Sequence, residues 1–186
     1  METTAITTPR LVLREFRDED LEPVHAYAAD PVATQFMTWG PNTLDDTRAF
    51  LARCQVAAAV EPRVDYEWAI TLRSGELIGG GGIGVRGADS RQGYLGYILR
   101  REHWGRGYGT EAARAMVEFG FGQLGLHRVW TDCVVENRAS AHVLEKCGMT
   151  REGRLRHHSR RAGAWRDHFV YAILEHEFSQ AGDGQG

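Results

Sequence analysis

The stretch Trp104-Gly105-Arg106-Gly107-Tyr108-Gly109-Thr110-Glu111-Ala112 decides how this chain reads. Three glycines alternate with larger residues and then stop. Ala112, Ala113, Met116, Val117 and Phe121 follow at the spacing of one helix face, which predicts a helix over 110–124. Glycines without Cβ let a ligand come close to the backbone. The first N–H groups of the helix have no intrahelical partner, and the helix dipole favours an anion there. The loop is therefore suited to a phosphate or pyrophosphate. No Gly-Lys-Ser/Thr follows, so it is not a Walker loop, and GxGxG in mid-chain fits a Rossmann fingerprint poorly. Taken alone, the loop reads equally well as a plain turn.

Outward toward the C-terminus, 128–135 is rich in Val and Trp and reads as a strand. Asn137 starts a short helix that ends at Cys147-Gly148, where glycine suits the left-handed position after a helix. Strands follow over 151–158 and 167–174. Toward the N-terminus, 93–99 reads as a strand, and 66–72 with 76–85 reads as a hairpin about Ser74-Gly75. Thr43-Leu44-Asp45-Asp46 resembles a capping box and opens a helix to about 58. Another helix covers 18–29, and a first strand covers 11–16. The order β-α-α-β-β-β-α-β-α-β-β is a mixed α+β sheet with helices on both faces.

Composition narrows the classes. The 186 residues carry 22 Lys+Arg against 25 Asp+Glu, a net charge of −3, without the basic excess of a protein held to nucleic acid by bulk charge. A hydrophobic fraction of 42% is enough for one core and excludes a disordered chain. Of 22 glycines, 15 fall between Gly75 and Gly125, so the excess is a local feature. Cys54, Cys133 and Cys147 are an odd number without a CxxC pair, against a disulfide scaffold or a cysteine zinc site. Met1-Glu2-Thr3-Thr4 opens no signal peptide, and no apolar run reaches membrane length, so a cytoplasmic protein is expected. No His/Cys/Asp grouping has metal-ligand spacing along the chain, so no metal is expected.

A second cluster joins the glycine loop. Asn137-Arg138-Ala139-Ser140 opens the short helix and Leu144-Glu145-Lys146-Cys147-Gly148-Met149 closes it. Strand, GxGxG loop, helix, strand, Asn-x-x-Ser helix and Gly-Met together resemble the GNAT superfamily of N-acetyltransferases. The likeness is greatest to its RimJ/RimL-type branch, which acetylates ribosomal-protein N-termini. Thr8-Pro9-Arg10-Leu11-Val12-Leu13-Arg14, Glu76-Leu77-Ile78-Gly79, Gly96-Tyr97 and the closing segment 167–174 match as well, so the resemblance covers about 8–176.

The resemblance implies a mostly antiparallel central sheet of about seven strands. The fourth and fifth, 93–99 and 128–135, would splay around the cofactor. It implies one N-acetyltransferase domain over 1–176 with a flexible tail over 177–186. Acetyl-CoA would be the cosubstrate, its pantetheine arm held by backbone groups of Ile98 and Leu99. Its pyrophosphate would lie on Gly105, Arg106, Gly107, Tyr108, Gly109 and Thr110, with Asn137 nearby. Trp104 occupies the family's Gln/Arg position, a departure this branch shares.

Acetyl transfer to an amine needs a neutral amine, donors for the oxyanion, a proton for the thiolate and two aligned substrates. Ser140 is the expected donor to the leaving sulfur, with Asn137 beside it, because Leu144 stands where many GNAT enzymes carry a tyrosine. Helix capping explains both residues as well. His142 is a weaker acid candidate. The general base stays open among Glu67, Asp132, His157, His158 and water, because Tyr94-Leu95 precedes Gly96-Tyr97 where related enzymes carry a glutamate. Glu111 complements the helix N-terminus. Cys133 reads as a buried structural thiol in preference to an acyl-cysteine nucleophile.

Six arginines lie between Arg151 and Arg166. They read as a solvated strand pair or as an anion-facing rim for the CoA 3′-phosphate, an acidic peptide or ribosomal RNA. Phe36, Met37, Trp39, Tyr66 and Trp68 are candidates for an acceptor groove or for core. The expected acceptor is a protein N-terminal amine. A small-molecule amine (antibiotic, polyamine or amino acid) and a catalytically silent acyl-CoA-binding module are the alternatives. Ribosomal association and a homodimer stay open.

Overall fold

The computed structural model describes residues 4–87 and 91–178. Strands β1 (Ile6–Thr7), β2 (Leu11–Arg14), β3 (Asp65–Leu72), β4 (Leu77–Arg86), β5 (Gln92–Leu99), β6 (Arg128–Val134), β7 (Thr150–Arg161) and β8 (Ala164–Leu174) form one sheet. Its order is β1-β2-β3-β4-β5-β6-β8-β7. Every pairing is antiparallel except β5 with β6. The fold is the expected mixed α+β sheet with one strand more than the expected seven. The extra one, β1, is two residues long and pairs Ile6 with Leu13, too short to leave a periodic signal.

Helices α1 (Leu21–Ala28) and α2 (Leu44–Ala59) cover one face of the sheet. Val24, Tyr27, Ala28, Leu51 and Cys54 pack there with Ala69, Leu77 and Ile98. Helices α3 (Tyr108–Gly122) and α4 (Arg138–Lys146) cover the other face, where Ala112, Ala113, Met116, Val117 and Leu144 meet Trp68, Ile70, Leu95 and Val129. Tyr66 and Trp68 therefore belong to that core. Each fully buried aliphatic side chain stabilises the fold by about 1.5–3 kcal/mol relative to exposure.

Local signals hold where chemistry is local. The Thr43 hydroxyl accepts from Asp46 N–H, and the Asp46 carboxylate accepts from Thr43 N–H, a complete capping box. Helix α3 starts at Tyr108, two residues before the expected Thr110, because Gly107 at φ +81° turns the chain directly into the helix. The β7–β8 hairpin is longer than expected. Ala162 and Gly163, both at positive φ, form a tight turn that lets the strands pair almost to their ends. The tail expected over 177–186 opens with two helical residues, Glu177 and Phe178, the latter packed against Phe121; residues 179–186 lie outside the described ones.

Candidate active site

Strands β5 and β6 pair in parallel only at Gln92–Arg128, Gly93–Val129 and Tyr94–Trp130. Beyond Tyr94 they separate, so the sheet opens into a fork. The β5 backbone facing that fork follows from the antiparallel alternation. Arg100 N–H donates to Ile78 C=O, so every second residue back along β5 also bonds to β4. Ile98 therefore spends its backbone groups on β4 and buries its side chain against α1 and α2. Leu99 and Tyr97 turn theirs into the fork. Of the expected pair Ile98 and Leu99, only Leu99 offers backbone to the gap, and Tyr97 is its companion.

The glycine loop closes one end of the fork. Gly105 and Gly107 both adopt positive φ, +71° and +81°, and the first turn of α3, with Tyr108, Gly109 and Thr110, starts directly behind. A Cβ on Gly107 would lie 3.2 Å from Arg10 Nη2 in a backbone conformation that side chains disfavour. The Trp104 indole donates to Leu99 C=O at 2.9 Å, tying the loop to the end of β5. Glu111 accepts from Thr8 Oγ1 at 2.7 Å, Arg10 N–H at 2.8 Å and Arg10 Nε at 2.6 Å. Burial works to raise the Glu111 pKa, but these hydrogen bonds outweigh it and hold the carboxylate below its ordinary range. Glu111 thus fixes the segment before β2 onto α3. The Arg10 guanidinium lies over the Tyr108 ring and donates to Arg106 C=O, placing a cation beside the loop.

Helix α4 points its first turn at the same fork. Asn137 caps it, its Oδ1 accepting from Ser140 N–H at 3.1 Å. The Ser140 hydroxyl interacts with the Tyr97 phenol. Burial pushes that phenol up to about 12 against the opposing pull of Ser140, so it is a proton donor at neutral pH. Tyr97 lies below α3, where a Cβ on Gly109 would come within 3.3 Å of its ring. Ser140 and Tyr97, separated in sequence, thus meet beside the first turn of α3. His142 is exposed on the outer side of α4.

On the α1/α2 side the candidate bases separate. Glu67 of β3 stands in register with Gly82 of β4, which is opposite Gly96 of β5. A Cβ on Gly82 would come within 2.6 Å of Glu67 Oε2, so the carboxylate reaches across bare backbone toward Gly96, whose own Cβ position is open. Burial, helped by Asp65 and opposed by Arg86, pushes the Glu67 carboxyl up to about 7. Asp132 and His158 belong instead to a cluster with His168, described below. His157 stacks on Trp165 and donates its backbone N–H to Asp167, away from the fork.

A family model described as "Acetyltransferase (GNAT) domain" matches residues 10–150. The chain belongs to the GNAT acetyltransferases. A Bacillus subtilis (strain 168) relative, "Uncharacterized N-acetyltransferase YnaD", is 30% identical over 94% of this chain and 99% of its own length. Two solved structures share the GNAT fold at lower identity. One is a spermidine N-acetyltransferase from Vibrio cholerae in complex with CoA and spermine, with a TM-score of 0.81, 20% identity and coverage of 92% of this chain and 99% of that one. The other is Mycobacterium smegmatis RimJ in complex with CoA-disulfide, with a TM-score of 0.79, 24% identity and coverage of 97% and 94%. The protein is thus a GNAT-family acetyltransferase, and the silent-module alternative gives way.

Two expectations resolve within this GNAT frame. Cys133 is buried, and burial pushes its thiol up to about 11, so it stays protonated at neutral pH and offers no thiolate for an acyl-enzyme. The Arg-rich segment becomes the β7–β8 hairpin, which spends most of its arginines internally. Arg151 lies over Phe169, Arg154 pairs with Asp167 and Arg160 approaches Trp165. Arg161 donates to the carbonyls of Met37, Trp39 and Gly40, and Arg166 to that of Gln35. These last two strap the hairpin to the α1–α2 connection carrying Phe36, Met37 and Trp39.

Proposed function

We propose that this enzyme transfers the acetyl group of acetyl-CoA to a primary amine by direct attack in a ternary complex, with a protein N-terminal amine as its acceptor. The observation that carries this reading is the end of β5–β6 pairing at Tyr94–Trp130, with the loop of Gly105 to Thr110 at one side and Ser140 with Tyr97 inside. The free N–H groups at the start of α3 hold the pyrophosphate, with Arg10 beside them. Leu99 and Tyr97 backbone groups pair with the pantetheine amides, as a strand would.

Glu67 then acts as general base. With a pKa of about 7 it is ionised enough to take a proton from the amine and basic enough to keep it. The neutral nitrogen attacks the thioester carbonyl, the C–N bond forms, and the C–S bond breaks as the oxyanion collapses. The departing thiolate takes its proton from Ser140, which regains one from the Tyr97 phenol as that group is reprotonated from solvent, while Glu67 releases the amine's proton to solvent. A carboxylate on β3 reaching over Gly82 fills the role that a glutamate on β5 would have had.

The N-terminal acceptor, with the cytoplasmic location and ribosomal association that accompany it, rests on the RimJ/RimL-like motifs. The small-molecule reading has its own support. Arg161 and Arg166 strap the hairpin over the acceptor side, which suits a compact amine. Thiol release from acetyl-CoA against peptides with free N-termini, polyamines, aminoglycosides and amino acids separates the two. N-terminal peptide acetylation seen by mass spectrometry supports the first reading. Turnover confined to small amines overturns it.

A further inference from the structure

We propose that Asp132, His158 and His168 form a binding site for a divalent transition cation of the zinc type. The ligands come from three strands: Asp132 from β6, His168 from β8 and His158 from β7. One donor atom from each lies within 4.8 Å of the others. His158 Nε2 is 4.0 Å from Asp132 Oδ2, and His168 Nδ1 is in direct contact with the same oxygen. Around a tetrahedral ion with bonds of about 2.0–2.1 Å, neighbouring donor atoms stand roughly 3.3 Å apart, so shifts on the order of 1 Å complete the site.

The surroundings select those atoms. Tyr94 OH donates to Asp132 Oδ1 at 3.1 Å, leaving Oδ2 to face the histidines. Ser159 Oγ lies 2.7 Å from His168 Nε2. In the tautomer that carries its proton on Nε2 and donates it to Ser159, Nδ1 is left as an acceptor beside Asp132 Oδ2, the pair of donor atoms a metal ion would bridge. Outer hydrogen bonds that orient a ligating imidazole and carboxylate in this way are the usual frame of a metal site.

The β7 bulge delivers the third ligand. The register jumps between Leu155 and Ser159, and His157 at φ +51° turns the chain so that His158 lies against the His168 ring, centroids 4.9 Å apart. His168 is buried and Asp132 partly buried, while His158 is half-exposed beside a surface cavity of about 690 Å³ that gives entry and room for water as a fourth ligand. Two imidazoles and one carboxylate favour zinc, cobalt or nickel over calcium or magnesium.

The test uses untagged full-length protein, stripped with EDTA, desalted and titrated with CoCl2. The expected result is one equivalent bound, with the visible absorption of four-coordinate cobalt, bleached by ZnSO4. His158→Ala and His168→Gln should each weaken uptake at least about tenfold, and Tyr94→Phe somewhat less. His158 is half-exposed, so its loss spares the fold, which thermal unfolding checks. Absence of colour in the wild type, or uptake unchanged in His158→Ala, overturns the proposal and leaves the cluster bridged by a proton alone.

Discussion

The two sides of the fork are built differently. The proposed cofactor side is nearly one continuous segment: Leu99, the indole of Trp104 bonded to it, the glycine loop and the first turn of α3. Its working groups are backbone N–H groups, so it depends on conformation more than on side-chain identity. The proposed acceptor side draws Glu67 from β3 across Gly82 of β4 and a cover from the α1–α2 connection, strapped down by Arg161 of the last hairpin. Its working groups are side chains that meet only after the sheet forms. A site made of backbone is fixed by a local run of glycines, whereas a site made of distant side chains can change acceptor without disturbing the cofactor.

Substitutions that separate the two sides sharpen this contrast. Gly107→Glu should have the largest effect. It combines a side chain at φ +81° with a negative charge at the proposed pyrophosphate position, so CoA affinity measured by calorimetry should fall below detection. Near-normal affinity would remove the cofactor from this loop.

Glu67→Gln should lower kcat by about 10²–10³ while leaving CoA affinity unchanged. Its pH dependence separates chemistry from stability. A base with a pKa of about 7 makes wild-type kcat/KM for the amine rise through pH 7, and the variant should lose that rise. The folded-state pKa lies above the ordinary 4.5, so between those values the folded state holds the proton more firmly than the unfolded state. Stability therefore declines as pH rises from about 4.5 through 7, and Glu67→Gln should flatten this decline in thermal melts. An unchanged pH–rate profile would remove Glu67 from the reaction.

Ser140→Ala should reduce kcat by about 10²-fold at saturating acetyl-CoA, with Ser140→Thr restoring most of it. If Ser140 only belongs to the helix cap, turnover measured below the melting temperature will match wild type, and Tyr97 becomes the donor to test. The smallest effect belongs to Arg161→Ala. Removing its three carbonyl contacts loosens the strap over the acceptor side and should raise the amine KM several-fold with little change in kcat or in the KM for acetyl-CoA. A change confined to the acetyl-CoA KM would break the assignment of the two sides.

The legible parts share one property. Thr43 and Asp46 complete their box within four residues, Asn137 caps α4 three residues before Ser140, and Gly107 sets the start of α3 by its own φ. Each is a local conformational preference that the chain spells out in order. The fork itself was legible only through resemblance to a family, because nothing in 93–99 or 128–135 states where their pairing stops.

The sequence by itself determined the order of elements, the mixed sheet and the phosphate-suited loop, since periodicity, caps and glycines act over a few residues. Tertiary structure alone decided which β5 residues face the gap, because hydrogen-bond parity depends on the partner strand. It decided that Glu67 crosses Gly82, a contact set by cross-strand register. It also brought Asp132, His158 and His168 together, although spacing along the chain argued against any metal grouping. Their proximity depends on β8 inserting between β6 and β7, and strand order is a choice the whole core makes at once.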